Sequence, residues 1–161
     1  DRVKAARSAS ALGEKVTVAP ELAAAARSSQ IIITCTTASR FFLTREMVRP
    51  GTFIAAVGAD NENKQEIEAQ LMAGSKVVTD STEQARKIGD LHHAIRAGAM
   101  SVEAVHAQLG EVAAGRKPGR QSDEEVTIFD STGTGLQELA AAIAAFRGAT
   151  SQHIGTSWSL I

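Results

Sequence analysis

Asp60 stands where a carboxylate can do chemistry. Residues 52–57 (TFIAAV) form a short apolar, β-branched run that empties into Gly58-Ala59-Asp60, and a helical pattern follows. A strand ending this way puts Asp60 at the carboxyl edge of a sheet, where open α/β sheets bind ligands. There the side chain either exchanges protons with a bound molecule or caps the next helix by accepting backbone N–H groups. Two other strand ends share the character of this one. Residues 30–34 (QIIIT) run into Cys35-Thr36-Thr37-Ala38-Ser39, and residues 125–129 (EVTIF) run into Asp130-Ser131-Thr132-Gly133-Thr134-Gly135. Small and hydroxyl-bearing residues let a flat ligand approach the backbone closely. Three such ends in register on one parallel sheet point to a nucleotide or dinucleotide crevice.

The elements that must position these ends follow from periodicity. Residues 2–12 predict a helix stopped by Gly13, and residues 15–19 (KVTVA) a strand by alternation. Pro20-Glu21 opens a helix over 22–28. The run 30–34 is too short for a helix and predicts a strand buried on both faces. Residues 43–48 predict a short helix closed by Pro50-Gly51, and residues 64–73 a helix ended by Gly74. Residues 76–80 (KVVTD) predict a strand, and Ser81-Thr82-Glu83-Gln84 a capping box opening a helix to residue 88. Residues 89–110 are helical in pattern, with a break near 98–101, and 115–119 (GRKPG) predict a surface loop. After the strand 125–129, a helix over 136–146 offers an Ala and Leu face to the sheet or to another subunit. The tail 151–161 ends in Trp158, Leu160 and Ile161, an apolar terminus expected to pack on something. Strand and helix alternating at this pitch predict an α/β fold with a right-handed, doubly wound parallel sheet.

Composition narrows the function classes. The chain has 161 residues, which is enough for one domain with a continuous core. A net charge of −1 leaves no electrostatic footprint for nucleic acid or an anionic membrane. Cys35 is the only cysteine, so no intrachain disulfide forms and no zinc site is suggested. The adjacent His92 and His93 point in different directions on a helix, a poor arrangement for one metal, and no metal is expected. With no long apolar run, the expectation is a soluble, cytoplasmic protein.

The glycine-rich turn that cradles a pyrophosphate at a helix N-terminus does not appear. Gly133-Thr134-Gly135 lacks the later glycine and follows the last strand. On the dinucleotide reading, that turn lies upstream of Asp1. Asp1 then ends the second strand and accepts hydrogen bonds from ribose hydroxyls, while Arg2 is placed to meet a 2′-phosphate. NAD and NADP both stay open.

Several motifs now carry a resemblance. The run 43–52 (LTREMVRPGT) leads into Ala56-Val57-Gly58-Ala59-Asp60, and Gly89-Asp90-Leu91 follows. Leu109-Gly110-Glu111-Val112, then Gly115-Arg116-Lys117-Pro118-Gly119-Arg120, then Phe129-Asp130-Ser131-Thr132-Gly133 complete the order. In this sequence of motifs the chain resembles the ornithine cyclodeaminase/mu-crystallin family along essentially its whole length. The resemblance implies a Rossmann-like NAD(P)-binding domain over 1–148, lacking its first strand and glycine-rich turn. Residues 149–161 are then a tail returning towards a second domain that binds substrate and forms a homodimer.

By the same resemblance Asp60 matches the catalytic aspartate, and Asp1 and Arg2 match the adenosine-ribose or phosphate end. Thr34, Thr36 and Thr37 match the T-x-T stretch on the adenosine side, while Val57 and Ser131 match positions near the nicotinamide. The implied activity is at the Cα–N bond of an amino or imino acid. It is either cyclodeamination of ornithine to proline and ammonia or reduction of a cyclic imine such as pyrroline-2-carboxylate. A non-catalytic, NADP-dependent small-ligand binder is the alternative, and the presence of Asp60 favours an enzyme. One departure stands out: Glu62-Asn63 precede Lys64 where many family members carry Pro-Gly, so substrate preference does not carry over.

Overall fold

A computed structural model describes residues 2–13, 15–156 and 158, the side chain of Arg2 apart. Seven strands are present among the described residues: β1 (Ile31–Thr34), β2 (Ser39–Leu43), β3 (Phe53–Ala56), β4 (Gln65–Ile67), β5 (Lys76–Thr79), β6 (Ala107–Gln108) and β7 (Thr127–Asp130). The helices are α1 (Arg2–Leu12), α2 (Leu22–Ser28), α3 (Ala69–Ala73), α4 (Thr82–Ala85), α5 (Gly89–Arg96), α6 (Leu109–Ala113) and α7 (Gly135–Gln152). Five strands form one sheet in the order β1-β3-β7-β5-β6, every pairing parallel. A separate parallel pair joins β2 to β4. This is the expected α/β, Rossmann-like architecture.

Register explains the core. Ile32, Ile54, Ile128 and Val77 align across the sheet, and the last three are fully buried. They pack with Leu71 and Met72 of α3 and Leu91 and Ala94 of α5. Each large side chain buried this way contributes roughly 1.5–3 kcal/mol. The opposite face is covered unevenly. Over β5 and β7, Leu109 and Val112 of α6 close an apolar cavity of about 300 Å³ with Phe53, Val78 and Phe129. At β1 that face is open, with Ile31 65% and Ile33 70% exposed. The strand expected to be buried on both faces is therefore an edge strand with one bare face.

Other local expectations are corrected by the structure. Residues 16–19 form no strand, because no neighbour offers a ladder, and Val16 and Val18 are exposed. The helix expected over 43–48 is the end of β2 followed by a single 3-10 turn, Arg45–Met47. The helix expected over 64–73 begins as β4, because residues 65–67 pair with β2 before α3 starts. Within 89–110 the break is real, but residues 107–108 form β6 beside β5. The Ser81 capping box is half formed. Ser81 Oγ accepts the Gln84 N–H at 3.4 Å, while the Gln84 amide donates instead to Thr132 Oγ1 and the Gly133 carbonyl. The last helix is longer than expected, opened by a reciprocal cap between Thr134 and Gln137, and none of its residues is buried. It therefore does not pack on the sheet. Trp158 is 84% exposed, and Leu160 and Ile161 lie outside the described residues.

Candidate active site

The three strand ends meet. β1, β3 and β7 are neighbours, with Thr34 aligned to Ala56 and Ala56 to Asp130. Beyond the strands, the Val57 N–H donates to the Thr34 carbonyl and the Ser131 N–H to the Ala56 carbonyl, both at 2.9 Å. Thr34, Val57 and Ser131 are thus brought side by side at one carboxyl edge.

Asp60 leaves this edge in a turn. No helix follows it directly, since residues 61–63 turn into β4, so capping has nothing to act on. Its side chain is 55% exposed. Oδ1 takes an ion pair from Lys64 at 2.8 Å and a hydrogen bond from Asn61 at 3.0 Å. The Lys64 ammonium beside it holds the carboxyl below its ordinary range. The group is therefore ionised at neutral pH, which suits it to accept a proton or to stabilise a positive charge.

The remaining residues on the edge are placed as follows. Thr34 is buried, and its hydroxyl has no hydrogen-bond partner among the described residues. Thr36 and Thr37 are exposed in the loop after β1. The Thr36 hydroxyl accepts the Ala38 N–H at 3.2 Å. Val57 is exposed at the lip. Ser131 is buried, and its hydroxyl donates to Asp80 Oδ2 at 3.3 Å. Asp80 also accepts the N–H groups of Thr132 and Gly133, which fixes the loop after β7. Asp1 lies outside the described residues, as does the side chain of Arg2, whose backbone opens α1.

Sequence reasoning missed the carboxylates beneath the edge. Glu66, on β4, is fully buried; Oε1 accepts the Thr36 N–H at 2.7 Å and Oε2 the Gly58 N–H at 2.9 Å. Asp90, also fully buried, accepts the N–H groups of Glu66 and Ile67 on Oδ1, both at 2.8 Å. Asp130, at the end of β7, accepts the Leu91 N–H at 2.9 Å and the Asp90 N–H at 3.4 Å. Gly89 makes this approach possible: its φ is +83°, and a Cβ there would come within 2.7 Å of Thr132 Cγ2 and 3.2 Å of Asp130 Oδ1. Burial pushes the Asp90 carboxyl up to about 7. It pushes Asp130 well above the ordinary carboxylate range, with Asp90 nearby adding to the effect. Glu66 was hidden because a helical reading of 64–73 leaves it on a solvent face. Asp90 and Asp130 sat inside recognisable motifs without a stated role.

The remaining titratable groups here are structural. His93 Nε2 bonds the Lys64 carbonyl at 2.9 Å, and burial holds its pKa below the ordinary histidine value. His92 bonds the Arg86 carbonyl through Nδ1, and the two rings stand edge to face. Arg120 donates to the Gly51 carbonyl at the opposite end of β3, remote from the Asp60 edge.

Comparison with known proteins gives the family and the fold. A family model described as the ornithine cyclodeaminase/mu-crystallin family matches residues 1–152. The chain is 43% identical over 124 residues to the iminosuccinate reductase of Paracoccus denitrificans, covering 77% of the chain and 38% of that protein. An archaeal alanine dehydrogenase dimer solved with bound NAD superposes with a TM-score of 0.83 at 37% identity, over 96% of this chain and 48% of that one. The Thermococcus litoralis Δ1-pyrroline-2-carboxylate reductase, solved with NADH and L-proline, gives a TM-score of 0.84 at 27% identity, over 98% of this chain and 49% of that one. The chain spans about two fifths to one half of the length of the curated relatives it matches. Among the described residues, no helix is long and apolar enough to cross a membrane.

Proposed function

Because the chain belongs to the ornithine cyclodeaminase/mu-crystallin family, we propose that it supplies the NAD(P)-binding, Asp60-bearing part of an enzyme acting at the Cα–N bond of an amino or imino acid. One observation carries the reading: an ionised, half-exposed aspartate at the end of the middle of three aligned strand ends. The relatives named above are two reductases of imines and an amino-acid dehydrogenase. Reduction of an α-imino acid is therefore the reading preferred over ornithine cyclodeamination.

The edge fits a dinucleotide at the points these residues cover. The Thr34 hydroxyl is buried with no hydrogen-bond partner among the described residues, and Val57 offers an apolar lip. In the proposed arrangement Thr34, Thr36 and Thr37 hold the adenosine side, with Val57 and Ser131 by the nicotinamide. Asp1 and Arg2 serve the ribose or its phosphate. When bound, the nicotinamide supplies or takes up the hydride at Cα. The protein's own part is the proton: the half-exposed Asp60 carboxylate can be reached by an imine nitrogen or an attacking water, while Lys64 and Asn61 hold its Oδ1. Ionised Asp60 stabilises a protonated imine, the more electrophilic form. We assign residues 1–148 to the dinucleotide domain and 149–161 to a tail returning to a substrate and dimer domain, in a cytoplasmic homodimer.

The test follows NADH and NADPH absorbance in the intact protein, with pyrroline-2-carboxylate and iminosuccinate as substrates and Asp60→Ala beside the wild type. Oxidation that falls by about 10²- to 10⁴-fold in the variant is the expected result. No oxidation with either cofactor, alongside proline formed from ornithine, would move the reaction to cyclodeamination.

A further inference from the structure

Two N–H groups cannot bond to each other. The ladder between β1 and β3 closes with the Val57 N–H on the Thr34 carbonyl, and just beyond it lie the Thr36 and Gly58 amides. Both turn to Glu66, which lies between them with one oxygen on each. A fully buried carboxylate thus takes over where strand pairing stops.

Space and bracing single this contact out. A Cβ at Gly58 would run into the Glu66 carboxylate and come within 2.5 Å of the Thr36 nitrogen, so the turn leading to Asp60 touches Glu66 directly. Glu66 is held from behind, because its own N–H donates to Asp90, whose N–H and neighbouring Leu91 N–H reach Asp130. The three buried carboxylates connect the end of β7 to the loops after β1 and β3. The loop after β1 carries Thr36 and Thr37, and the turn after β3 carries Asp60.

We infer that Glu66 is a positioning residue for the reaction. By bonding the Thr36 and Gly58 amides, it sets the gap between the 34–37 loop and the Asp60 turn, and so aligns a bound dinucleotide with the group that serves the substrate. The inference rests on the dinucleotide reading above. A displacement of about 1 Å in such a site costs on the order of 10²-fold in rate.

Glu66→Gln keeps the volume but turns one acceptor into a donor facing an N–H, so one half of the bridge is lost. Thr52→Val is the comparison. It removes a buried hydroxyl that donates to the Ser29 carbonyl at the far end of β3. In the intact protein, both variants are measured well below their melting temperatures, with active sites counted by bound dinucleotide. Glu66→Gln is expected to lower kcat per site by about 10- to 100-fold and to weaken dinucleotide binding several-fold. Thr52→Val is expected to change only the melting temperature. Wild-type kcat and dinucleotide affinity in Glu66→Gln would overturn the inference. So would a loss of kcat matched by Thr52→Val at an equal loss of stability, since that is the behaviour of a merely structural residue. Amide hydrogen exchange gives a readout independent of the cofactor: one of the Thr36 and Gly58 amides should exchange at least about 10-fold faster in Glu66→Gln, and unchanged exchange at both would refute the bridge. A wild type that binds neither dinucleotide would defeat the cofactor reading, and the positioning role with it, while the exchange data would still decide the bridge.

Discussion

Asp60 and Asp90 are the same side chain in opposite surroundings. Asp60 is half exposed, paired with Lys64, and held below the ordinary carboxylate range. Asp90 is fully buried, has Glu66 nearby in place of a cation, and is pushed up to about 7. The first is charged and reachable. The second spends one oxygen on two backbone amides, and the other oxygen has no partner among the described residues. The contrast shows how one sheet edge treats the same side chain in two ways: solvent and a cation keep one carboxylate charged and reachable, while burial turns the others into braces.

The largest test of this contrast is pH. A carboxyl whose folded pKa lies above its unfolded value keeps its proton longer when folded. Its contribution is therefore present below the unfolded pKa of about 3.9 and is lost as pH rises towards about 7. About three units correspond to on the order of 4 kcal/mol, reduced by any water that reaches the group. Asp90→Asn copies the protonated form, since the amide oxygen can still accept the Glu66 and Ile67 N–H groups. The wild type should lose stability between pH 4 and pH 7 more steeply than Asp90→Asn, as read by denaturant unfolding across that range. Parallel curves would mean that Asp90 is ionised in the fold.

A smaller effect sharpens the steric side. Gly58→Ala forces a methyl group into the Glu66 carboxylate and the Thr36 amide. Overpacking of this kind costs about 1–3 kcal/mol, so the melting temperature should fall and dinucleotide binding should weaken with it. A variant as stable and as tight-binding as the wild type would show that the turn has slack. The smallest expected effect is Lys64→Met. An exposed ion pair contributes about 0–1 kcal/mol, so stability should barely move. The Asp60 pKa should rise towards its ordinary value, which a carbon-13 NMR titration of the carboxyl would detect.

The same division governs what the sequence made legible. Parallel strands and the three strand ends were readable because each couples an apolar run to small residues, a pattern that burial and backbone approach both demand. Asp60 was readable for the same reason. Glu66 was not, because β4 has only three residues and its partner β2 lies 26 positions earlier at the aligned pair Ser39 and Gln65. Two-residue β6 escaped detection for a similar reason: its pairing with β5 is decided by tertiary contact and leaves no alternation to count. The valines of 15–19 alternate correctly and still form no strand, since propensity without a neighbour gives no ladder.

In the proposed function, Asp60 does its chemistry at an edge that other residues shape. The direct measurement is a paired one on the intact protein, comparing wild type with Asp60→Asn: NAD(P)H affinity by fluorescence, and single-turnover reduction of pyrroline-2-carboxylate. Dinucleotide affinity should stay within about twofold of wild type, and the turnover rate should fall by about 10²-fold or more. Turnover retained in Asp60→Asn would contradict this role and move the proton chemistry to another group.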